Sequence, residues 1–122
     1  VKITHLEPVD GIEKIYAAAD FFVLPSIYEP FGNANLEALA SGLPIITSRN
    51  CGVAEIVIPQ KEGVILEEPS DSKTMAKAID YLMDSKTREP MRESARLLAE
   101  KFTQERNASE MLQIYKELIE SQ

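Results

Sequence analysis

The sequence predicts an α/β domain built on a mostly parallel sheet of about four strands, and three observations carry that expectation. Short continuous apolar runs at residues 21–24, 44–47 and 63–66 have the length and two-sided hydrophobicity of strands covered on both faces. Between and after them, apolar residues recur at helical spacing. Strands alternating with helices pair in parallel through right-handed crossovers, and such sheets hold ligands beyond the carboxyl ends of their strands.

The elements follow in order. Residues 2–6 form a β-branched run that reads as a first strand. Asp10, with Glu13 three residues on, makes a capping-box pattern, and Ile12, Ile15, Tyr16 and Ala19 continue it as a short helix to Ala19. Residues 21–24 are the second strand, ended by Pro25. A helix from about Ala34 to Ser41 stops at Gly42, and residues 44–47 form the third strand. A short helix is expected over 52–57 and the fourth strand over 63–66. Ser70 or Asp71 then caps a helix with Met75, Ile79, Leu82 and Met83 on one face. A further helix spans roughly Thr87 to Lys101, with Met91, Ala95 and Leu98 as its stripe. Thr103 caps the last helix, whose buried face would be Ala108, Met111, Leu112, Tyr115, Leu118 and Ile119. No internal repeat, linker or low-complexity segment interrupts the pattern.

Composition narrows the possible partners. The 122 residues suffice for one domain with a core, and 44% hydrophobic with 27% charged residues is an ordinary globular balance. A formal net charge of −7 argues against nucleic acid or an anionic membrane surface as partner. No run approaches the roughly 20 apolar residues of a membrane span, and no signal-peptide pattern opens the chain. The single cysteine, Cys51, fits a reducing compartment, so a cytoplasmic location is expected. Because the chain opens at Val1 on a strand-like run, it is expected to be part of a longer protein.

The chemistry concentrates in residues 26–38, which leave a strand, turn at Pro30 and Gly32, and enter a helix. Such a junction aims unpaired backbone N–H groups at one point, which suits a phosphate. Glu29 and Glu37 add two carboxylates, which suit sugar hydroxyls. On the helix, Leu36, Leu39 and Ala40 share the expected core face, while Glu37 falls with Ala34, Ala38 and Ser41. Bland readings stand beside these: Glu37 as a solvated helix residue, Glu29 as a surface loop residue, and an ordinary turn with Asn33 capping the helix. His5, Cys51 and Glu55 read as structural. With one histidine and one cysteine there is no metal cluster or Cys–His pair to propose.

The run Pro25-Ser26-x-x-Glu29-Pro30-Phe31-Gly32, followed by Leu36-Glu37-Ala38 and by residues 40–46 (Ala-Ser-Gly-Leu-Pro-Ile-Ile), resembles the group 1 glycosyltransferases (family 4, GT-B fold, retaining). Their hallmark is two glutamates separated by seven residues, here Glu29 and Glu37. The resemblance continues through residues 52–57 and the Gly63 strand to Asp71. It implies a Rossmann-like three-layer αβα domain, the C-terminal donor-binding part of a metal-independent glycosyltransferase of hexosyltransferase type. Glu29 would be the catalytic carboxylate, hydrogen-bonded to hydroxyls of the transferred sugar, with the Phe31 and Gly32 amides helping to hold it. The Asn33 and Ala34 amides would meet the diphosphate, and Glu37 the ribose. The donor would be a UDP- or GDP-linked sugar, with no other cofactor, and the acceptor a glycan or lipid presented by an N-terminal domain. The isolated chain would bind donor weakly and transfer nothing. The alternatives are a non-catalytic scaffold domain of the same fold and a sugar-nucleotide epimerase.

Two departures from the family pattern stand out. Asn33 occupies a position that is usually apolar in the family. The Arg and Lys that neutralise the diphosphate lie upstream in the family, and Lys2, Lys14 and Arg49 do not match them. The chain is therefore expected to begin after two strand-helix units, leaving a four-stranded sheet with an exposed or self-associating edge.

Overall fold

The computed structural model describes residues 1–122. Three strands, β1 (Phe22–Leu24), β2 (Ile45–Ser48) and β3 (Gly63–Leu66), form a parallel sheet in the order β1-β2-β3. Phe22 stands opposite Ile45, and Ser48 opposite Leu66. Five helices accompany them: α1 (Ile12–Ala18), α2 (Asn33–Ala40), α3 (Ser72–Met83), α4 (Ser85–Ala99) and α5 (Gln104–Glu120). A single 3₁₀ turn covers Gly52–Glu55.

The central strand explains the layers. All four residues of β2 are buried, and successive side chains point to opposite faces. Ile45 joins Tyr16, Leu39, Leu43, Val53 and Ala95 on one face, whereas Ile46 joins Leu66, Ala78, Leu82 and Met91 on the other. α2 therefore covers one face and α3 the other, and α4 reaches both through Ala95 and Met91. Burying each large aliphatic side chain contributes about 1.5–3 kcal/mol.

Local signals set several ends. Gly42, at φ +75°, closes α2 with a Schellman arrangement, its N–H donating to the Leu39 carbonyl at 2.9 Å and the Leu43 N–H to the Ala38 carbonyl at 3.0 Å. The Asp71 carboxylate accepts from the Lys73 and Thr74 amides and caps α3, and the Thr103 hydroxyl accepts from the Arg106 amide at the start of α5.

The structure corrects other expectations. Residues 2–6 are not a strand: residues 1–9 carry no regular structure and are exposed, because no strand lies beside them to pair with. The sheet accordingly has three strands rather than four. β1 pairs only with β2, so its outer edge is unpaired, and Val23 is exposed where two-sided cover was expected. Asp10 does not cap α1; Gly11, at φ +79°, occupies that position without any side-chain hydrogen bond, and the helix ends at Ala18. The helix expected over 52–57 is a short 3₁₀ turn. α4 begins at Ser85 rather than Thr87, capped by Asp84, and stops at Ala99.

Two buried faces also differ. In α2 the core residues are Asn35, Ala38 and Leu39, while Ala40 is exposed and Leu36 half-buried. The small Ala38 side chain lets the helix lie close to the sheet, which turns its face by one position. In α5 no residue is buried: Met111, Leu112, Tyr115, Leu118 and Ile119 are all exposed. Apolar periodicity predicts that a face wants cover, but not which element supplies it.

Candidate functional site

Beyond the carboxyl ends of β1 and β2, two chain segments continue side by side. The Thr47 hydroxyl donates to the Leu24 carbonyl at 3.4 Å, and the Ser48 hydroxyl donates to the Ser26 carbonyl. Further out, the Glu29 amide donates to the Asn50 carbonyl at 3.3 Å, the Gly52 amide to the Glu29 carbonyl at 3.0 Å, and the Val53 amide to the Phe31 carbonyl at 2.9 Å. The approach is close enough that a Cβ on Gly52 would lie 2.0 Å from the Pro30 carbonyl oxygen. Glycine at 52 is what allows the loop carrying Glu29 and Phe31 to be stitched down.

Gly32 then turns the chain into α2. Its φ is +85°, and a Cβ there would lie 2.7 Å from Asn35 Nδ2 and 3.2 Å from Glu29 Cγ. The Asn35 amide donates to the Gly32 carbonyl at 2.9 Å, which starts the helix. As a result the N–H groups of Phe31, Gly32, Asn33 and Ala34 donate to no acceptor in the chain. Unpaired amides at a helix start, with the positive end of the helix dipole behind them, favour an anion. Asn33 does not cap the helix: it is its exposed first residue, and the cap position is Gly32.

Glu29 is half-buried beside these amides and Glu37 is exposed on α2. Neither pairs with a lysine or arginine. Glu37 Oε2 accepts from the Tyr16 hydroxyl at 3.3 Å. Tyr16 is only 8% exposed, and its ring meets Phe22 edge-on with centroids 5.9 Å apart. Burial pushes the Tyr16 phenol above its ordinary range, and the Glu37 charge and the hydrogen bond to it push the same way. The phenol therefore remains a protonated donor across the neutral range.

Phe31, Asn33 and Glu37 open into one cleft of about 930 Å³, whose far wall is formed by the α4–α5 junction through Arg96, Phe102 and Arg106. Glu29, Gly32 and Ala34 lie outside the lining of that cleft. His5 sits in the exposed residues 1–9, Cys51 is buried, and Glu55 is exposed on the 3₁₀ turn. No three His, Cys, Asp or Glu side chains come together as metal ligands would. Sequence reasoning missed two residues. Tyr16 looked like an ordinary core position of its helix. Asn35 is wholly buried, with Nδ2 4.0 Å from Cys51 Sγ and Oδ1 unpartnered; a polar residue one turn before Leu39 was the available signal.

Comparison with known proteins agrees with this fold. The family model for glycosyl transferases group 1 matches residues 1–98, and the chain belongs to that family. It is 34% identical over 123 residues to an uncharacterised glycosyltransferase of Methanocaldococcus jannaschii, covering 98% of this chain and 31% of that protein. Sucrose-phosphate synthase from Thermosynechococcus elongatus superimposes with a TM-score of 0.82 at 34% identity, over 91% of this chain and 28% of the other. The pneumococcal O-GlcNAc transferase GtfA, solved in complex with UDP and GlcNAc, matches with a TM-score of 0.74 at 25% identity, over 96% of this chain and 24% of that one. The sheet and its helices are thus a Rossmann-like part of the GT-B fold. The chain spans less than a third of each of these three proteins.

Proposed function

We propose that this chain is the donor-binding half of a retaining glycosyltransferase, which transfers a hexose from a UDP- or GDP-linked donor to a glycan or lipid acceptor. The observation that carries this reading is the set of four unpaired amides, Phe31 to Ala34, placed between two carboxylates that no cation neutralises. The neighbour solved with UDP and GlcNAc supports a nucleotide donor.

In this reading the diphosphate lies at the start of α2, on the Asn33 and Ala34 amides. Its charge grows as the bond to the sugar breaks, so amides already aimed there stabilise the transition state more than the ground state. Glu29 accepts hydrogen bonds from hydroxyls of the sugar, with the Phe31 and Gly32 amides beside it. A carboxylate has acceptor sites for both hydroxyls of a vicinal pair, which suits Glu37 to the ribose. The acceptor attacks from the face the phosphate leaves, which gives retention. No metal is used: the amides and cations from outside this chain meet the charge.

The test is sugar transfer by the full-length protein carrying Glu29→Ala or Glu37→Ala. Losses on the order of 10²-fold are expected for Glu29→Ala, as for removal of one preorganised polar group from a reacting centre. Transfer rates unchanged in both variants sink the assignment.

A further inference from the structure

We propose that Tyr16 is the positioning residue for Glu37, its phenol holding the carboxylate where the ribose hydroxyls of the donor meet it. The inference rests on the donor-site reading above and adds to it a residue on a different element.

Three observations support it. First, the Tyr16 ring is held in place: it is nearly buried on α1, packed in the cluster that includes Leu39, Ile45 and Val53, and set edge-on against Phe22. Its hydroxyl therefore has a defined location. Second, that hydroxyl donates to Glu37 Oε2 at 3.3 Å across 21 positions of sequence, and it makes no other hydrogen bond. Phenylalanine would serve the packing equally well, so the hydroxyl has only Glu37 to act on. Third, Glu37 is exposed and unpaired by any cation, so without the phenol its three side-chain torsions are unrestrained.

The acceptor count also closes. An ionised carboxylate offers about four lone-pair sites. The phenol takes one on Oε2, and a vicinal diol needs two more. Tyr16 can thus orient Glu37 without competing with the ribose. Because its acceptor Glu37 is exposed, the part-buried bond adds little to folding stability; its effect is on how much side-chain freedom the donor must freeze out on binding.

The discriminating experiment compares UDP and GDP with 2′-deoxy-UDP and 2′-deoxy-GDP as ligands of the full-length protein, by calorimetry. Wild type, Tyr16→Phe and Glu37→Ala are measured in parallel, with thermal melts to confirm that each is folded. Tyr16→Phe is expected to weaken the preferred ribonucleotide about threefold to tenfold, within the range of one ordinary net hydrogen bond, because 3.3 Å is long for a charge-assisted O–H···O contact. It is expected to weaken the deoxynucleotide less, so the ribo-to-deoxy ratio shrinks, and in turnover KM rises while kcat holds. If Glu37→Ala collapses that ratio and Tyr16→Phe leaves it at the wild-type value, the positioning role is wrong while the ribose assignment stands. If Glu37→Ala also leaves the ratio unchanged, the ribose assignment itself fails and the inference falls with it. Equal loss of both nucleotides in Tyr16→Phe would mark a merely structural role and overturn it as well.

Discussion

Gly52→Ala perturbs the brace beneath the site rather than the site itself. The new Cβ lies 2.0 Å from the Pro30 oxygen, 2.9 Å from its carbonyl carbon and 3.0 Å from Phe31 Cα. Carbon and oxygen approach comfortably only to about 3.3 Å, so the two segments must part by roughly 1 Å. All three obstructing atoms are backbone, and no side chain can swing aside to relieve them. Parting breaks the bonds from the Gly52 amide to Glu29 and from the Val53 amide to Phe31. At about 0.5–1.5 kcal/mol each, their loss destabilises the fold by about 1–3 kcal/mol. The effect on turnover is larger, because a shift of about 1 Å in a positioned group costs on the order of 10²-fold. Urea denaturation followed by circular dichroism and donor turnover in the full-length protein read the two effects separately. Gly63→Ala is the control. Its Cβ meets the Ile45 oxygen at 2.1 Å, but at the amino end of β3, away from the site. It is expected to lose stability comparably while each folded molecule keeps its activity. A Gly52→Ala protein within about 0.5 kcal/mol and threefold of wild type would refute the bracing argument, since those are ordinary surface-substitution margins.

Three further outcomes follow from particular contacts. Gly32→Ala forces an alanine to φ +85° against Asn35 and Glu29, and a loss of about 1–2 kcal/mol is expected in thermal melts, with weaker nucleotide binding; a variant as stable as wild type contradicts it. Glu62, 2% exposed, accepts from the Ile58 amide at 2.7 Å, so Glu62→Ala leaves that donor unsatisfied and should lower the urea-derived stability by about 1–3 kcal/mol, with binding unchanged. Hydrogen bonds from the Thr74 hydroxyl and then the Thr74 amide hold the Asp71 carboxyl below its ordinary value. The folded chain therefore binds fewer protons there than the unfolded one, so this contribution is present above the ordinary aspartate value and is lost as pH falls through the depressed one. Asp71→Ala should flatten that part of the acid stability curve, and an unchanged slope would rule the cap out as its source.

What the sequence made legible depended on whether local chemistry or tertiary packing decided the outcome. β2 and β3 were readable because their apolar runs are covered on both faces, and Gly42, Asp71 and Thr103 because a helix end is settled by the residues at it. Residues 2–6 have strand composition, yet β-propensity expresses fit to a pleated, paired surface, and here no partner lies alongside. α5 shows the same gap, with an apolar stripe of which no residue is buried. Helical geometry correctly took Glu37 off the core face, but it missed Ala38 because close helix–sheet approach rewards a small residue over a bulky one. The Tyr16–Glu37 contact was beyond reach: it joins two elements 21 positions apart, and neither local pattern contains it.

The central claim is that the free amides at the start of α2 receive the donor's diphosphate. Hydrogen–deuterium exchange of the full-length protein, with and without saturating UDP and GDP, tests it directly through the peptide containing Phe31 to Ala34. Unpaired amides that water reaches exchange fast, so this peptide, with Asn33 exposed and Phe31 and Ala34 half-buried, should exchange measurably in the free protein and slow when the matching nucleotide binds. Saturated binding that leaves its exchange unchanged would place the phosphates elsewhere and contradict the account.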